Sequence, residues 1–255
     1  MPSPAIPRLR AVPAVTRAVA ILRLLSRTRA PLGLKAIAEP LGLVPSTALH
    51  ILRALMAEQL VRLDPPTKQY SLGVGMLPLA RAALRNDFPT LVQPRLDELS
   101  QRYPVTAIGV ELPDLDHMVV VALARPQAPV RLHVDVGSRF PALISATGRC
   151  LAAFSDQPWG EIEKRFRKLR WHNAPAYETW RKEIETTRRQ QFSIDRGNYI
   201  GGVTIVAVPV LNARGTISHT LVSVGLGDQL DRATSLKLAR DMKVTAAELA
   251  TQLAH

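Results

Sequence analysis

The stretch "LKAIAEPLGLVPSTALHILRALMAEQLVRLDPPTKQYSLG", residues 34–73, packs several elements into very little chain. A short helix over "KAIAEPL" should end or bend at Pro40, because proline removes a donor and crowds the preceding turn. Gly42 suits a sharp turn. A second helix opens at Pro45, a residue preorganised for the first helical position. "LVRL" and "QYSL" are short strands, and Asp64-Pro65-Pro66-Thr67-Lys68 between them has strong turn chemistry. Helix, glycine turn, helix and tight hairpin are the parts of a winged helix-turn-helix.

The helix from Pro45 indicates what such a motif would do. Ala48, Leu49, Leu52, Leu55 and Met56 form its apolar face. Ser46, His50 and Arg53, spaced i, i+4 and i+7, form another face, with Thr47 beside them. In a helix-turn-helix the start of the second helix meets base edges in the major groove. The hydroxyls can serve phosphates or bases, and His50 and Arg53 reach further along the groove. Taken singly, a Ser or Thr near a helix start is usually just a cap. Taken with the turn, the hairpin and the charge, they predict DNA contact. The expected DNA-binding set is Ser46, Thr47, His50 and Arg53, with Lys68 on the hairpin and Arg17 and Lys35 on the two preceding helices. Arg62 would lie against the flanking backbone, and Arg8 and Arg10 would reach a minor groove or phosphates.

Charge supports this. The chain carries a formal net charge of +12, which points to a polyanion as partner. Residues 1–85 hold twelve Lys and Arg against three Asp and Glu, a net of +9. The other 170 residues hold twenty-one against eighteen, a net of +3. The excess sits on one module.

Outward from that module, "AVTRAVAILRLLSR", residues 14–27, is an amphipathic helix with Val15, Ala18, Leu22 and Leu25 in phase, widened by Val19 and Ile21. "TRAPLGL" breaks it. "VGMLPLARAALRN" is a connecting helix, with Val74, Leu77, Ala80 and Leu84 in phase. After Asn86 the texture changes. A helix, three valine-rich strands ("VTAIGVEL", "HMVVVALA", "VRLHVDV") and a loop running into a small-residue helix come first. Two charged helices, two more strands and a closing helix follow. The fold class is α+β with adjacent antiparallel strands. The expected division is a flexible basic arm over 1–13, the winged helix-turn-helix over 14–73, a linker helix over 74–87 and a second domain over 88–255.

Composition narrows the classes. Hydrophobic residues at 47% can fill a normal core. One cysteine, Cys150, allows no internal disulfide and fits a reducing cytoplasm. No apolar run approaches the ~18 residues of a membrane span, and the start does not read as a signal peptide. The six histidines are scattered, so neither metal nor cofactor is expected.

From about Ala14 to its end the sequence resembles the isocitrate lyase regulator (IclR) family of bacterial transcription factors. "VTRAVAILRLLS" resembles the family's first helix, and "LGLVPSTALHILRALMAEQLVRLDPPTKQYSLG" its turn, recognition helix and wing. "VRLHVDVGSRFPALISATGRCLAAF" and "FSIDRGNYIGGVTIVAVPVLNARGTISHTLVSVGL" resemble parts of its ligand domain. The resemblance implies a winged helix-turn-helix joined by a linker helix to a GAF-like effector-binding domain with an antiparallel sheet. It implies dimers or dimers of dimers on palindromic operators of double-stranded DNA, regulating nearby catabolic genes in response to a small-molecule effector, an aromatic or carboxylate metabolite. By position it assigns effector contacts to Ala146, Thr147, Asp195, Ile205, Ser223 and Gly225. Effector binding would then shift the relative orientation of two DNA heads through the linker helix.

There are departures. Val44-Pro45 stands where the family usually has proline then lysine, and Leu49-His50 where it has histidine-arginine; Pro40 falls where its second helix normally continues. Gly225 and Ile205 make the expected cup less polar, which favours a larger or more apolar effector. Two other readings compete. The second domain could only oligomerise, without ligand. Cys150 with His133 or His172 could be a nucleophile set, but it lies in the apolar "TGRCLAAF", where cysteine is commonly inert; no catalytic residue is expected.

Overall fold

The structure, a computed structural model, describes residues 12–28, 30–83, 88–126 and 134–253. It divides into two compact units, Met1–Arg85 and Asn86–His255. The expected arm lies almost wholly outside the described residues, as do Arg8, Arg10, Leu84 and His133.

The first unit opens with α1 (Pro13–Arg27). Its buried stripe is centred on Ile21 and Leu25, flanked by the partly buried Ala18, Leu22 and Leu24. Val15 is 60% exposed and Val19 38%, so the stripe predicted around them is displaced. The next segment, read as a plain break, contains β1 (Leu32–Gly33). Then come α2 (Leu34–Ala38), α3 (Pro45–Ala57), β2 (Val61–Asp64) and β3 (Gln69–Leu72). β1 pairs with β3 through Leu32↔Tyr70, so the wing is a three-stranded sheet, β1-β3-β2. A two-residue strand is too short for periodicity to reveal. Helix α2 ends before Pro40, and Gly42 takes the left-handed φ of +61° in the turn. Ile21, Ile37, Leu52, Leu55, Val61 and Tyr70 close the core. Burying one such side chain contributes roughly 1.5–3 kcal/mol. Helix α4 (Met76–Ala83) ends this unit; Val74 and Leu77 of the predicted apolar face are 68% and 59% exposed.

The second unit is built on one antiparallel sheet. Its elements are α5 (Phe88–Arg102), β4 (Thr106–Glu111), β5 (His117–Ala124), β6 (Arg139–Pro141), α6 (Ser145–Phe154), α7 (Trp159–Phe166), α8 (Tyr177–Gln190), β7 (Ser193–Arg196), β8 (Val203–Leu211), β9 (Ile217–Leu226) and α9 (Arg232–Leu253). Strand order is β6-β5-β4-β9-β8-β7. Of the strand expected over 130–136, only residues 134–136 are described, and none of them is in a strand. Residues 130–133 lie outside the described set, Val136 and Gly137 form a turn, and β6 instead pairs with β5 from Arg139.

The two sheet faces hold separate cores. On one, Val206, Val208, Leu221 and Ala107 pack with Phe88, Leu96, Leu238 and Met242 from α5 and α9. On the other, Ile108, Val110, Ile205, Val222 and Val224 pack with Ala146, Leu151 and Trp180 from α6 and α8. A bulge in the β4–β5 pairing, between Gly109 and Val110, shifts the register. Ala122 therefore belongs to the first core, while Val120 and Met118 belong to the second. Bulges re-aim side chains in this way.

Candidate functional site

Two sites emerge, one on each unit. On the first, α3 starts at Pro45 after Val44, which offers no side-chain cap. The first intrahelical bond is Ala48 N–H to Val44 C=O at 3.1 Å, so the amides of Ser46 and Thr47 have no acceptor within the helix. No acid occupies the first turn. Free amides and hydroxyls at a helix start suit a phosphate oxygen. Ser46, His50 and Arg53 are exposed on one stripe, Thr47 is half-buried, and Ala48, Leu52 and Leu55 are buried behind them.

The wing is stiffened from within. Arg62 Nε donates to Ser71 Oγ at 2.8 Å across the paired strands. At the tip the Thr67 hydroxyl donates to the Asp64 carboxylate, and Lys68 N–H donates to Asp64 C=O at 2.9 Å. Lys68 holds a left-handed φ of 55°, which is strained for a residue with a Cβ. Arg17 and Lys35 are exposed on α1 and α2. Among the described residues, none of Arg17, Lys35, Arg53 and Lys68 forms an ion pair. The structure thus brings four predicted contacts onto one helix and sets Lys68, Arg17 and Lys35 on three separate elements.

On the second unit, an apolar cavity of about 120 Å³ lies between the sheet and α6. Ile108, Val110, Met118, Val120, Val222 and Val224 line the sheet side. Met118 and Val120 face it because of the bulge. At its polar end stand Ser145 and Thr147, 3% and 1% exposed, whose hydroxyls make no hydrogen bond among the described residues. Ser145 has a left-handed φ of 59°. Such strain in a non-glycine residue is often kept where a ligand is clamped. Gly148 permits the tight entry: a Cβ there would fall 2.0 Å from the Leu143 carbonyl. The first helical bond is Gly148 N–H to Ile144 C=O at 2.8 Å, which leaves the Ser145, Ala146 and Thr147 amides without a helical acceptor.

The predicted effector residues divide sharply. Thr147 and Ile205 line the cavity. Ala146 is fully buried at the α6 start but is not in the lining. Ser223 and Gly225 are corrections. Their neighbours Val222 and Val224 face the cavity, so strand alternation turns Ser223 and Gly225 to the opposite face. Ser223 pairs with Ala107 and Val206, both in the other core. A Cβ on Gly225 would sit 2.8 Å from Leu230 Cδ1, so its glycine makes room for the helix-side core and leaves cavity polarity untouched.

Asp195 is also elsewhere. It is fully buried and accepts Arg149 Nη1 at 3.2 Å, while Arg149 Nε donates to Glu183 Oε2 at 2.6 Å. The other Asp195 oxygen accepts the Asn198 and Tyr199 N–H groups at 3.0 and 3.3 Å. Tyr199 C=O in turn accepts His172 N–H at 3.3 Å. Asp195 therefore fastens the strap that carries Tyr199 and Ile200, both cavity residues. Sequence reasoning missed Ser145, Arg149, Glu183 and Tyr199. One signal was available: a lone arginine in "ATGRCLAAF" must find a buried acid.

Cys150 is fully buried with Sγ 3.5 Å from Ala207 O. Burial pushes its thiol far above the usual range, against a smaller lowering by Arg149. It is held protonated, the unreactive form. His172 is exposed on the loop beside the strap; its backbone N–H bonds Tyr199 C=O, and among the described residues it makes no hydrogen bond to Cys150. Among the described residues no group of three or more His, Cys, Asp and Glu is placed to hold a metal, and no helix is long and apolar enough to cross a membrane.

Comparison with known proteins sets these sites in context. Residues 80–251 match the family model of the bacterial transcriptional regulator IclR C-terminal region, and residues 14–65 match the IclR helix-turn-helix domain. The chain is 27% identical to the glycerol operon regulatory protein of Streptomyces griseus, over 96% of this chain and 97% of that one. Its fold is similar to an IclR transcriptional regulator from Alicyclobacillus acidocaldarius, with a TM-score of 0.79, 28% identity and coverage of 96% and 100%. An IclR homologue from Microbacterium hydrocarbonoxydans, complexed with 4-hydroxybenzoate, superposes with a TM-score of 0.78 at 18% identity, covering 94% and 99%.

Proposed function

The chain belongs to the IclR family of bacterial transcriptional regulators, and from that premise we propose that it is controlled by a small apolar effector held in the α6 cavity. In this proposal residues 14–73 read DNA, 74–87 link, and 88–255 bind effector and oligomerise. The operator is palindromic and is bound by a dimer or dimer of dimers. Ser46, Thr47, His50 and Arg53 contact the major groove, Lys68 the flanking backbone, and Arg17 and Lys35 nearby phosphates. The regulated genes are nearby and catabolic.

One observation carries the effector half: a cavity otherwise lined by aliphatic and aromatic residues meets, at the start of α6, the hydroxyls of the buried Ser145 and Thr147, which have no hydrogen-bond partner among the described residues. Ligand sites have this make-up, apolar walls with a few oriented polar groups. The size supports a small ligand. An apolar cavity of roughly 150 Å³ takes benzene, and this one is about 120 Å³. Of the two residues that suggested a larger or more apolar effector, Gly225 faces away and drops out, while Ile205 lines the cavity and keeps it apolar. A related fold complexed with 4-hydroxybenzoate is consistent with a single ring bearing polar ends.

The test is a thermal-shift screen of the purified chain against aromatic acids, short keto-acids and lactones. A native-state ligand must raise stability by mass action, about 2.7 kcal/mol at a hundredfold over Kd. A stabiliser whose effect disappears in Val222→Phe, which fills the cavity, supports the proposal. Silence across the panel favours a second domain that only oligomerises.

A further inference from the structure

Beside the apolar cavity lies a larger, open cleft of about 530 Å³. Leu115, Leu143 and Leu169 give it an apolar floor. Its rim carries Asp116, Glu161, Lys164, Arg165, Lys168 and Arg170. Both acids are engaged by one arginine: Arg165 Nε donates to Asp116 at 2.8 Å and its Nη1 pairs with Glu161. Those bonds, Glu161's first, hold the Arg165 pKa above its ordinary value, and the Arg165 bond holds Glu161 below its own. The remaining acid of α7, Glu163, pairs with Arg167. Lys164, Lys168 and Arg170 are exposed and form no ion pair among the described residues. The cleft rim therefore carries four cations against two acids, a net charge of +2.

Cavity and cleft share a wall. Tyr199 lines both, and Phe140 faces the cavity while its neighbour Pro141 faces the cleft. The Tyr199 backbone is held at both ends, its N–H by Asp195 and its C=O by His172. The buried arginine of α6, which does not line the cavity, supplies no free counter-charge. Arg149 is already paired with Glu183 and Asp195.

We propose that cavity and cleft form one two-compartment site, whose ligand is an amphiphilic anion with a small apolar body in the cavity and its anionic end in the cleft, on either side of Tyr199. This rests on the cavity being the effector site. The anionic end is a carboxylate or a phosphate.

The test titrates the full chain with benzyl alcohol, benzoate and phenyl phosphate at low ionic strength. Both anions should bind about tenfold more tightly than the alcohol, the size of a few screened charge contacts. Whichever anion binds tighter identifies the head group. In Lys164→Ala/Lys168→Ala/Arg170→Ala the preference should vanish while the alcohol binds as before. A second measurement needs no variant: the wild-type preference should shrink with added salt, because the Debye length falls to about 10 Å at 0.1 M. A preference that survives both would place the anion at the α6 amides and overturn the cleft. Anions binding no better than the alcohol would also overturn it while leaving the cavity as a site. Binding by none of the three would remove cavity and cleft together.

Discussion

The two units keep their functional groups in opposite places. In the first, the cations offered to DNA are exposed and form no ion pair among the described residues, and the core behind them is small and apolar. In the second, the defining charge is buried: Arg149 is 2% exposed and closed by two acids. A surface that meets a polyanion can leave its charges to water until the partner arrives. A cavity that meets an apolar molecule must neutralise its charges internally, because an unpaired buried ion is prohibitively costly. Substitutions of the charged groups should therefore separate, costing stability in the second unit and affinity in the first.

The largest effect tests the buried network. Arg149→Met leaves Glu183 and the fully buried Asp195 unpaired, and should cost about 3–5 kcal/mol in urea unfolding followed by the tryptophans, all of which lie in the second unit. A loss below ~1 kcal/mol would mean that water reaches the acids, and the contrast between the units would collapse.

Next comes pH. His219 stacks on Phe88 with ring centroids 4.0 Å apart, and burial lowers its pKa from 6.5 to about 4. The unfolded chain then takes the proton first as pH falls. The stabilisation is complete above about pH 6.5 and is lost as pH drops toward 4. On the order of 2–3 kcal/mol is an upper figure for the loss. His219→Phe should flatten this limb between pH 6.5 and 4.5; an unchanged limb would assign it to other groups.

Arg53→Ala reverses the pattern. Operator affinity should fall by about 1–3 kcal/mol in fluorescence anisotropy, with unfolding within about 0.5 kcal/mol of the parent. Equal affinity would remove Arg53 from the contact surface. The smallest effect falls to Thr147→Val. Its hydroxyl has no partner among the described residues, so stability should hold while a polar-ended cavity ligand loses about 0.5–1.5 kcal/mol by calorimetry. A large stability loss instead would mean that the hydroxyl serves the fold.

The same contrast explains what the sequence could reveal. The winged helix-turn-helix was legible because its signals are local: Pro45 at a helix start, Gly42 in a turn, an apolar stripe on α3 and a proline-rich hairpin tip. The α+β order of the second domain and the loop into α6 were legible from the pattern of elements; the family resemblance added the effector-binding reading. The cavity was only partly legible. Thr147 and Ile205 sit in a run and a strand whose inward faces follow from position. Ser223 and Gly225 were misassigned because the inward face of β9 depends on which odd or even residues the sheet turns toward α6. Met118 and Val120 depend on a bulge that no periodicity announces. Asp195, Glu183 and Arg149 are joined by tertiary contacts across 34 and 46 residues, a range at which spacing carries no information. β1 escaped notice because only its pairing with β3 defines it.

The most direct measurement is operator affinity of the full chain, with and without a ligand that stabilises it, using labelled duplex from the DNA upstream of its own gene. The account predicts that the ligand changes Kd by roughly 5–150-fold, a coupling of about 1–3 kcal/mol, and that Val222→Phe abolishes the change while still binding DNA. An operator Kd that is the same with and without the stabilising ligand would contradict it.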